Sequence, residues 1–259
     1  MRIFLKTEDE IILLRAASQL ATCALIEVGR HVVPRLALSH LRNKVVNAVM
    51  RTVPTESNSG KEALSFDTEF TFFVNGVYIE PSLEGECMLC EGDWLTVNCW
   101  VCLDGYYSFG AHTFIVGSSQ DDEPMISTLR DMLRQVVRRA SAGHSIKEMS
   151  RTVYSLHSHD PYVLQKTFGH GVGRNRVENP ILRMNPGVND TVLLKEGMCL
   201  VIALAFKHGR SHFIKPRLMH ESTFHNPFVP FGTTVVVRPG RPEILTSFEN
   251  NSKVKKDKQ

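Results

Sequence analysis

Gly169-His170-Gly171-Val172-Gly173-Arg174 sets three glycines in strict alternation around a single histidine, and the run continues through Glu178-Asn179 to Pro180. The spacing is not G-x-G-x-x-G, so it does not describe a dinucleotide-binding turn. A histidine flanked by glycines has two readings: an imidazole hydrogen-bonded within a tight loop, or a surviving ligand-binding or acid-base group. The sequence on either side bears on the choice.

Working outward, Leu194-Lys195-Glu196-Gly197 followed by Leu200 repeats Leu89-Cys90-Glu91-Gly92 followed by Leu95 at a constant offset. Carried forward, that register pairs Asn98 with Ala203. Trp94 to Leu103, Asp104-Gly105 and Tyr106 to Val116 read as a hairpin, because Asp-Gly accepts the positive φ angles of a two-residue type I′ turn. With that turn Asn98 faces residue 111 and lies diagonal to Phe109 on one sheet face.

The flanking elements have local signals. Thr7 with Glu10 forms a capping box ahead of Ile11, Leu14, Ala17, Ser18, Ala21 and Leu25 at helical spacing, predicting a first helix to about His31. Ser39 is read as the cap of a second helix carrying Leu41, Val45, Val46 and Val49, ended by the small and polar stretch Thr52 to Gly60. Phe66 to Val74 is a strand by composition, with Asn75-Gly76 as its hairpin signal. Two further helices are expected, from Glu123 to Ala140 and from Ser145, capped with Glu148, to His157. Short strands are predicted at Val163 to Phe168, Thr191 to Leu194, Cys199 to Phe206, His212 to Leu218 and Thr233 to Arg238.

The chain has 259 residues, of which 42% are hydrophobic and 22% charged, an ordinary globular composition. No apolar run approaches a membrane span in this reading, since Arg15 interrupts residues 11 to 14, and no small-residue cleavage site follows a leader-like segment. The expectation is a cytoplasmic protein with no membrane association. A net charge of +3 falls short of a dedicated nucleic-acid domain. Arg130, Arg134, Arg138 and Arg139 lie near helical spacing, and Lys253 to Lys258 make a basic tail. Either a solvated face with a frayed tail or a surface for ribosome or RNA phosphates fits them, and the former is preferred.

Cys87 with Cys90 and Cys99 with Cys102 are CxxC pairs, but the second falls inside a strand, where an odd separation sends the two thiols to opposite faces. Reduced thiols acting as small hydrophobes are expected. His208, His212, His220 and His225 with Glu221 lack a recognised ligand spacing and are read as surface residues rather than an alternative metal site.

Three blocks in order and at matching spacing carry a resemblance along nearly the whole chain: Glu91-Gly92-Asp93 through Asp104-Gly105 to Thr113-Phe114-Ile115-Val116-Gly117; Gly169 to Pro180; and Leu194 to Met198. They resemble the methionine aminopeptidases, the pita-bread metallopeptidase family. The resemblance implies an α+β, pseudo-two-fold architecture with a curved antiparallel sheet covered by helices. It also implies one domain over residues 1–248, with pseudo-repeats of about 1–120 and 121–248 and a disordered basic tail over 249–259.

Members of that family hold two divalent metals with two aspartates, one histidine and two glutamates. On this chain the two aspartates fall on Asn98 and Phe109, the histidine on His170, and the two glutamates on Ala203 and Gly232. Of the five ligand positions only His170 keeps its residue type. The histidines that meet substrate in the family are also replaced, one at Tyr78-Ile79-Glu80 and the other at Val177. Paired dications need several anionic oxygens, so the expectation is no metal cofactor and no catalytic residue. What remains is a residual cleft of His170, Asn98, Phe109, Val177, Ala203 and Gly232 that binds a peptide or protein segment or serves as scaffold. The alternative is an active aminopeptidase with a non-standard ligand set, or a metal-free hydrolase like creatinase with His170 as acid-base.

Overall fold

The structure, a computed structural model, describes residues 2–53, 65–117, 124–157, 163–164, 167–184, 192–207 and 228–247. The amino-terminal half begins with helices α1 (Glu8–His31) and α2 (Leu38–Thr52), then strands β1 (Phe66–Val74) and β2 (Val77–Ile79). A single 3-10 turn (Pro81–Leu83) leads to β3 (Trp94–Leu103) and β4 (Tyr106–Ile115). The second half has α3 (Pro124–Arg138), α4 (Ile146–His157), β5 (Val163–Leu164), β6 (Thr167–Gly171), β7 (Glu178–Arg183), β8 (Cys199–Lys207), β9 (Phe228–Val236) and β10 (Glu243–Ile244). One antiparallel sheet runs in the order β2-β1-β3-β4-β9-β8-β6-β7, with β10 paired to β9 and β5 to β8. The expected α+β class is present.

Alternation along the strands decides which face meets the helices. In β3, Leu95, Val97, Cys99, Val101 and Leu103 are buried and join a core with α1 and α2. Asn98, Trp100 and Cys102 turn to the other face, as period-two geometry requires. The second half builds a matching core from Leu200, Ile202 and Leu204 of β8, Phe231 and Val235 of β9, and the apolar faces of α3 and α4. Cys99 and Cys102 therefore lie on opposite faces, and all six cysteines are free.

The repeat seen in the sequence extends to the backbone. Gly92 N–H donates to Val116 O at 2.9 Å, and Gly197 N–H to Val237 O at 3.2 Å. The start of α2 meets the chain through a bridge between Ala37 and Met88, and the start of α4 through one between Ser145 and Leu193. Leu38 N–H reaches Cys87 O at 3.0 Å, just as Ile146 N–H reaches Val192 O at 3.1 Å. Gly92 and Gly197, Met88 and Leu193, and Cys87 and Val192 keep the offset that joins Asn98 to Ala203, while their partners on the helices and strands are shifted from it.

Several sequence expectations are corrected. The cap of α2 is Ala37, with no side-chain hydrogen bond, rather than Ser39; the first amides of α2 go instead to Cys87 O and Glu84 O. Of the strand expected at Thr191 to Leu194, the described residues 192–194 show only the Leu193 bridge, and β7, not anticipated, forms through Pro180. Helix α1 is long and apolar enough by length and composition to cross a membrane, with a mean hydropathy of 1.6, contrary to the reading that no such run exists. Here its apolar face packs on α2 and on β3 and β4. The strand expected at His212 to Leu218, His208, His212, His220, Glu221 and His225, and the tail 249–259 lie outside the described residues.

Candidate functional site

The β3–β4 hairpin turns at Asp104 and Gly105, whose φ angles of 49° and 77° are those of a type I′ turn. It places Asn98 opposite Ala111 and Trp100 opposite Phe109. Strand β4 joins β9 through the pair Ala111 and Gly232, and β9 joins β8 through Gly232 and Ala203. Asn98, Ala111, Gly232 and Ala203 thus form one row across four strands. The neighbouring row carries Trp100 and Phe109 at one end and His170, opposite Val201, at the other.

The Phe109 ring fills the middle of this surface and is 7% exposed. A Cβ built on Gly232 would sit 2.6 Å from Phe109 Cε1 and 3.1 Å from the Ala203 methyl. Trp100 packs on Phe109 with ring centroids 4.8 Å apart, and lies nearly parallel to His170 at 6.2 Å. The Phe109 backbone is clamped by hydroxyls: its N–H donates to Thr234 Oγ1 at 2.9 Å, and its carbonyl accepts from Thr234 Oγ1 at 2.9 Å and Thr246 Oγ1 at 3.0 Å. The cleft floor is therefore closed by Phe109 and Trp100, a point the sequence left open.

Two polar groups remain on this floor. Asn98 Oδ1 is buried and accepts no hydrogen bond. His170 Nδ1 lies 2.9 Å from Gly171 O; a carbonyl only accepts, so Nδ1 carries the proton and Nε2 keeps a free lone pair. Burial pushes the His170 pKa down, only partly offset by that hydrogen bond, so the imidazole is neutral at pH 7. Among the described residues no three His, Cys, Asp or Glu side chains converge on a point that would hold a metal ion. Val177 stands 58% exposed beside this floor's loop, and Tyr78 is exposed against Phe73.

The loop from Val172 to Val177 adds charged residues that the sequence reading did not single out. Gly173 has no side chain because the stem of Lys6 occupies that space, on its way to a buried ion pair with Glu178 at 2.5 Å. Arg176 pairs with Glu69 of β1 at 2.6 Å, and its guanidinium carbon lies 5.7 Å from the Trp100 ring centre and 5.5 Å from that of Tyr107. Arg174 lies over Tyr106 at 4.6 Å. The alternation of arginines after the glycines was visible, but a partner 107 residues away on another strand was not.

On the opposite side of the sheet, the basic helix face is divided. Arg134 and Arg138 on α3, and Arg139 just beyond it, are exposed, with Arg134 paired to Asp131 at 2.6 Å. Arg130 is half-buried and lines a cavity of about 90 Å³ with Leu25, His112 and Phe231. The buried thiols carry no charge, since burial pushes Cys87 up to about 11 and Cys99 to about 12.

Comparison with known proteins agrees with this architecture. The chain is 29% identical over 217 residues to a methionine aminopeptidase of Helicobacter pylori, covering 81% of this chain and 85% of that one. It is 25% identical over 248 residues to the methionine aminopeptidase of Clostridium perfringens, covering 94% and 98%. The fold matches the crystal structure of methionine aminopeptidase from Thermotoga maritima with a TM-score of 0.73 at 21% identity, covering 95% of this chain and all of that one. A prolidase from Pyrococcus furiosus matches at a TM-score of 0.70 and 20% identity, over 95% of this chain and 66% of that one. The fold is the pita-bread fold that the sequence blocks implied. Residues 12–239 match the model of metallopeptidase family M24, and with that match over most of its length the chain belongs to this family.

Proposed function

We propose that this methionine-aminopeptidase-like protein is non-catalytic, and that its remodelled cleft holds a peptide or protein segment without hydrolysing it. The observation that carries the reading is the Phe109 ring lying against Gly232 and Ala203, where acidic side chains would be needed. Two dications about 3.5 Å apart repel by on the order of 20 kcal/mol even at an effective dielectric of about 20. Family enzymes offset this with carboxylates; the amide oxygen of Asn98 and one neutral imidazole carry no compensating charge. These residues do not fit the metal pair.

The charge bookkeeping also explains why the whole set changes together. A lone carboxylate beside Phe109 and Trp100 would be a buried charge without a partner, costlier than an apolar floor. Metal analysis of purified protein dialysed against cobalt, manganese or iron is expected to find well under one ion per chain. A methionyl-peptide assay on the same samples is expected to release no methionine. Metal-dependent release would overturn the reading.

The free lone pair on His170 Nε2 favours a second reading, an M24 hydrolase with His170 as acid-base. Turnover that is lost in His170→Ala would establish it in place of the first.

A further inference from the structure

We infer that Glu69, Trp100 and Tyr107 form a subsite for a basic side chain of a bound peptide, and that Arg176 of the chain itself is seated there as an internal stand-in. The inference rests on the reading of the cleft as a peptide holder. It names the chemistry that the cleft selects.

The subsite has the parts a guanidinium or ammonium group requires. Two aromatic rings, on neighbouring strands at the cleft floor, face the cation at 5.7 and 5.5 Å, within the range of cation–π attraction. A carboxylate oxygen of Glu69 lies 2.6 Å from Arg176 Nη1, and Asp67, two residues along the same strand, adds negative field. Both side chains of the ion pair remain open to solvent, at 38% for Arg176 and 52% for Glu69. Exposed pairs of this kind hold weakly, so an incoming cation would compete at a disadvantage of only about tenfold.

A second observation points to a ligand at the same place. Asn98 Oδ1 is buried and accepts no hydrogen bond, and it stands on β3 two residues from Trp100, on the same face. That separation is about 6.6 Å along a strand, the reach between a peptide's backbone N–H and its own long basic side chain. A peptide seated with its cation over Trp100 brings an amide towards the orphan oxygen, which is closed to solvent in this structure and is reached only when the side chains over it move aside. An acidic ligand fits less well: Glu69 already engages Arg176, and Glu10 stands 4.0 Å from Arg174.

The test uses the full chain with Trp94→Phe, which leaves Trp100 as the one fluorophore of its kind, since the sequence has 2 tryptophans. The probes are acetyl-Gly-Ala-Arg-Ala-Gly-amide and its norleucine counterpart, titrated by fluorescence and calorimetry. The arginine peptide is expected to bind and shift Trp100 emission, with the norleucine peptide at least about tenfold weaker. Arg176→Ala is expected to tighten the arginine peptide by about tenfold, and Glu69→Gln to weaken it by a similar factor. Weaker binding in Arg176→Ala would overturn the inference, because Arg176 would then help to hold the peptide rather than occupy the place of its cation. Equal binding of both peptides would overturn the cation subsite while leaving peptide capture standing. Absence of binding by either would overturn both, and the methionyl-peptide assay would still judge catalysis separately.

Discussion

A carbon added at position 232 would press into the Phe109 ring, so the smallness of one residue and the bulk of the other belong together. Gly232→Ala should cost about 1–3 kcal/mol in urea unfolding, as overpacking does, and much less in a Phe109→Ala background. An equal cost in both backgrounds would show that the two sites are independent. His170 gives a pH signature. Its folded pKa is lowered by burial, so the unfolded chain takes up a proton near 6.5 that the folded chain refuses until lower pH. Stability from this residue is full above pH 6.5 and is lost as pH falls through the folded value. His170→Gln should therefore flatten part of the acid limb of a stability–pH curve between pH 7.5 and 5; an unchanged slope would contradict the burial argument.

At the level of elements, α4 opens with a reciprocal cap in which Glu148 N–H donates to Ser145 Oγ at 3.2 Å and Ser145 N–H to a Glu148 carboxylate oxygen at 2.7 Å. Ser145→Ala should lower the unfolding free energy by about 1 kcal/mol, measured by denaturant titration. The corresponding position ahead of α2 is Ala37, which works without a cap because Cys87 and Glu84 carbonyls take the first amides. That difference shows where sequence reading succeeds. The capping boxes of α1 and α4 and the turns Asn75-Gly76 and Asp104-Gly105 are local chemistry, so they were legible. The α2 start depends on carbonyls some 50 residues later, and Ser39 was the misleading local candidate. Strand β7 was missed because Pro180 reads as a strand breaker; β7 ends the sheet order, and an edge strand tolerates a missing N–H. Within the cleft, Asn98 and Ala203 followed from the repeat and the hairpin register and Gly232 from the family resemblance alone, whereas the Arg176 cluster depends on a loop folding across to β1.

Across the whole molecule, the two halves are tied by contacts from the amino-terminal segment. Lys6 N–H donates to Gly197 O at 2.7 Å, its ammonium meets Glu178 with both side chains about 5% exposed, and Glu8 pairs with Arg238. Lys6→Met would strand the Glu178 carboxylate in the interior and should cost about 3–5 kcal/mol, while Lys6→Met with Glu178→Leu should recover much of that loss. Thermal or urea melts of the two variants check the prediction; a double variant no better than the single would show that the ammonium acts through packing alone.

The junction of β4 with β9 has a consequence for synthesis. The partner edge of β4 is not made until residues 228–236 leave the ribosome, so residues 116–227 must be added first. At roughly 5–20 residues per second that is about 6–20 seconds during which a completed hairpin displays unsatisfied strand amides and the Phe109 ring. Nascent chains halted in that interval should be prime clients for chaperone capture, and release should coincide with emergence of the threonine-bearing strand that closes the edge.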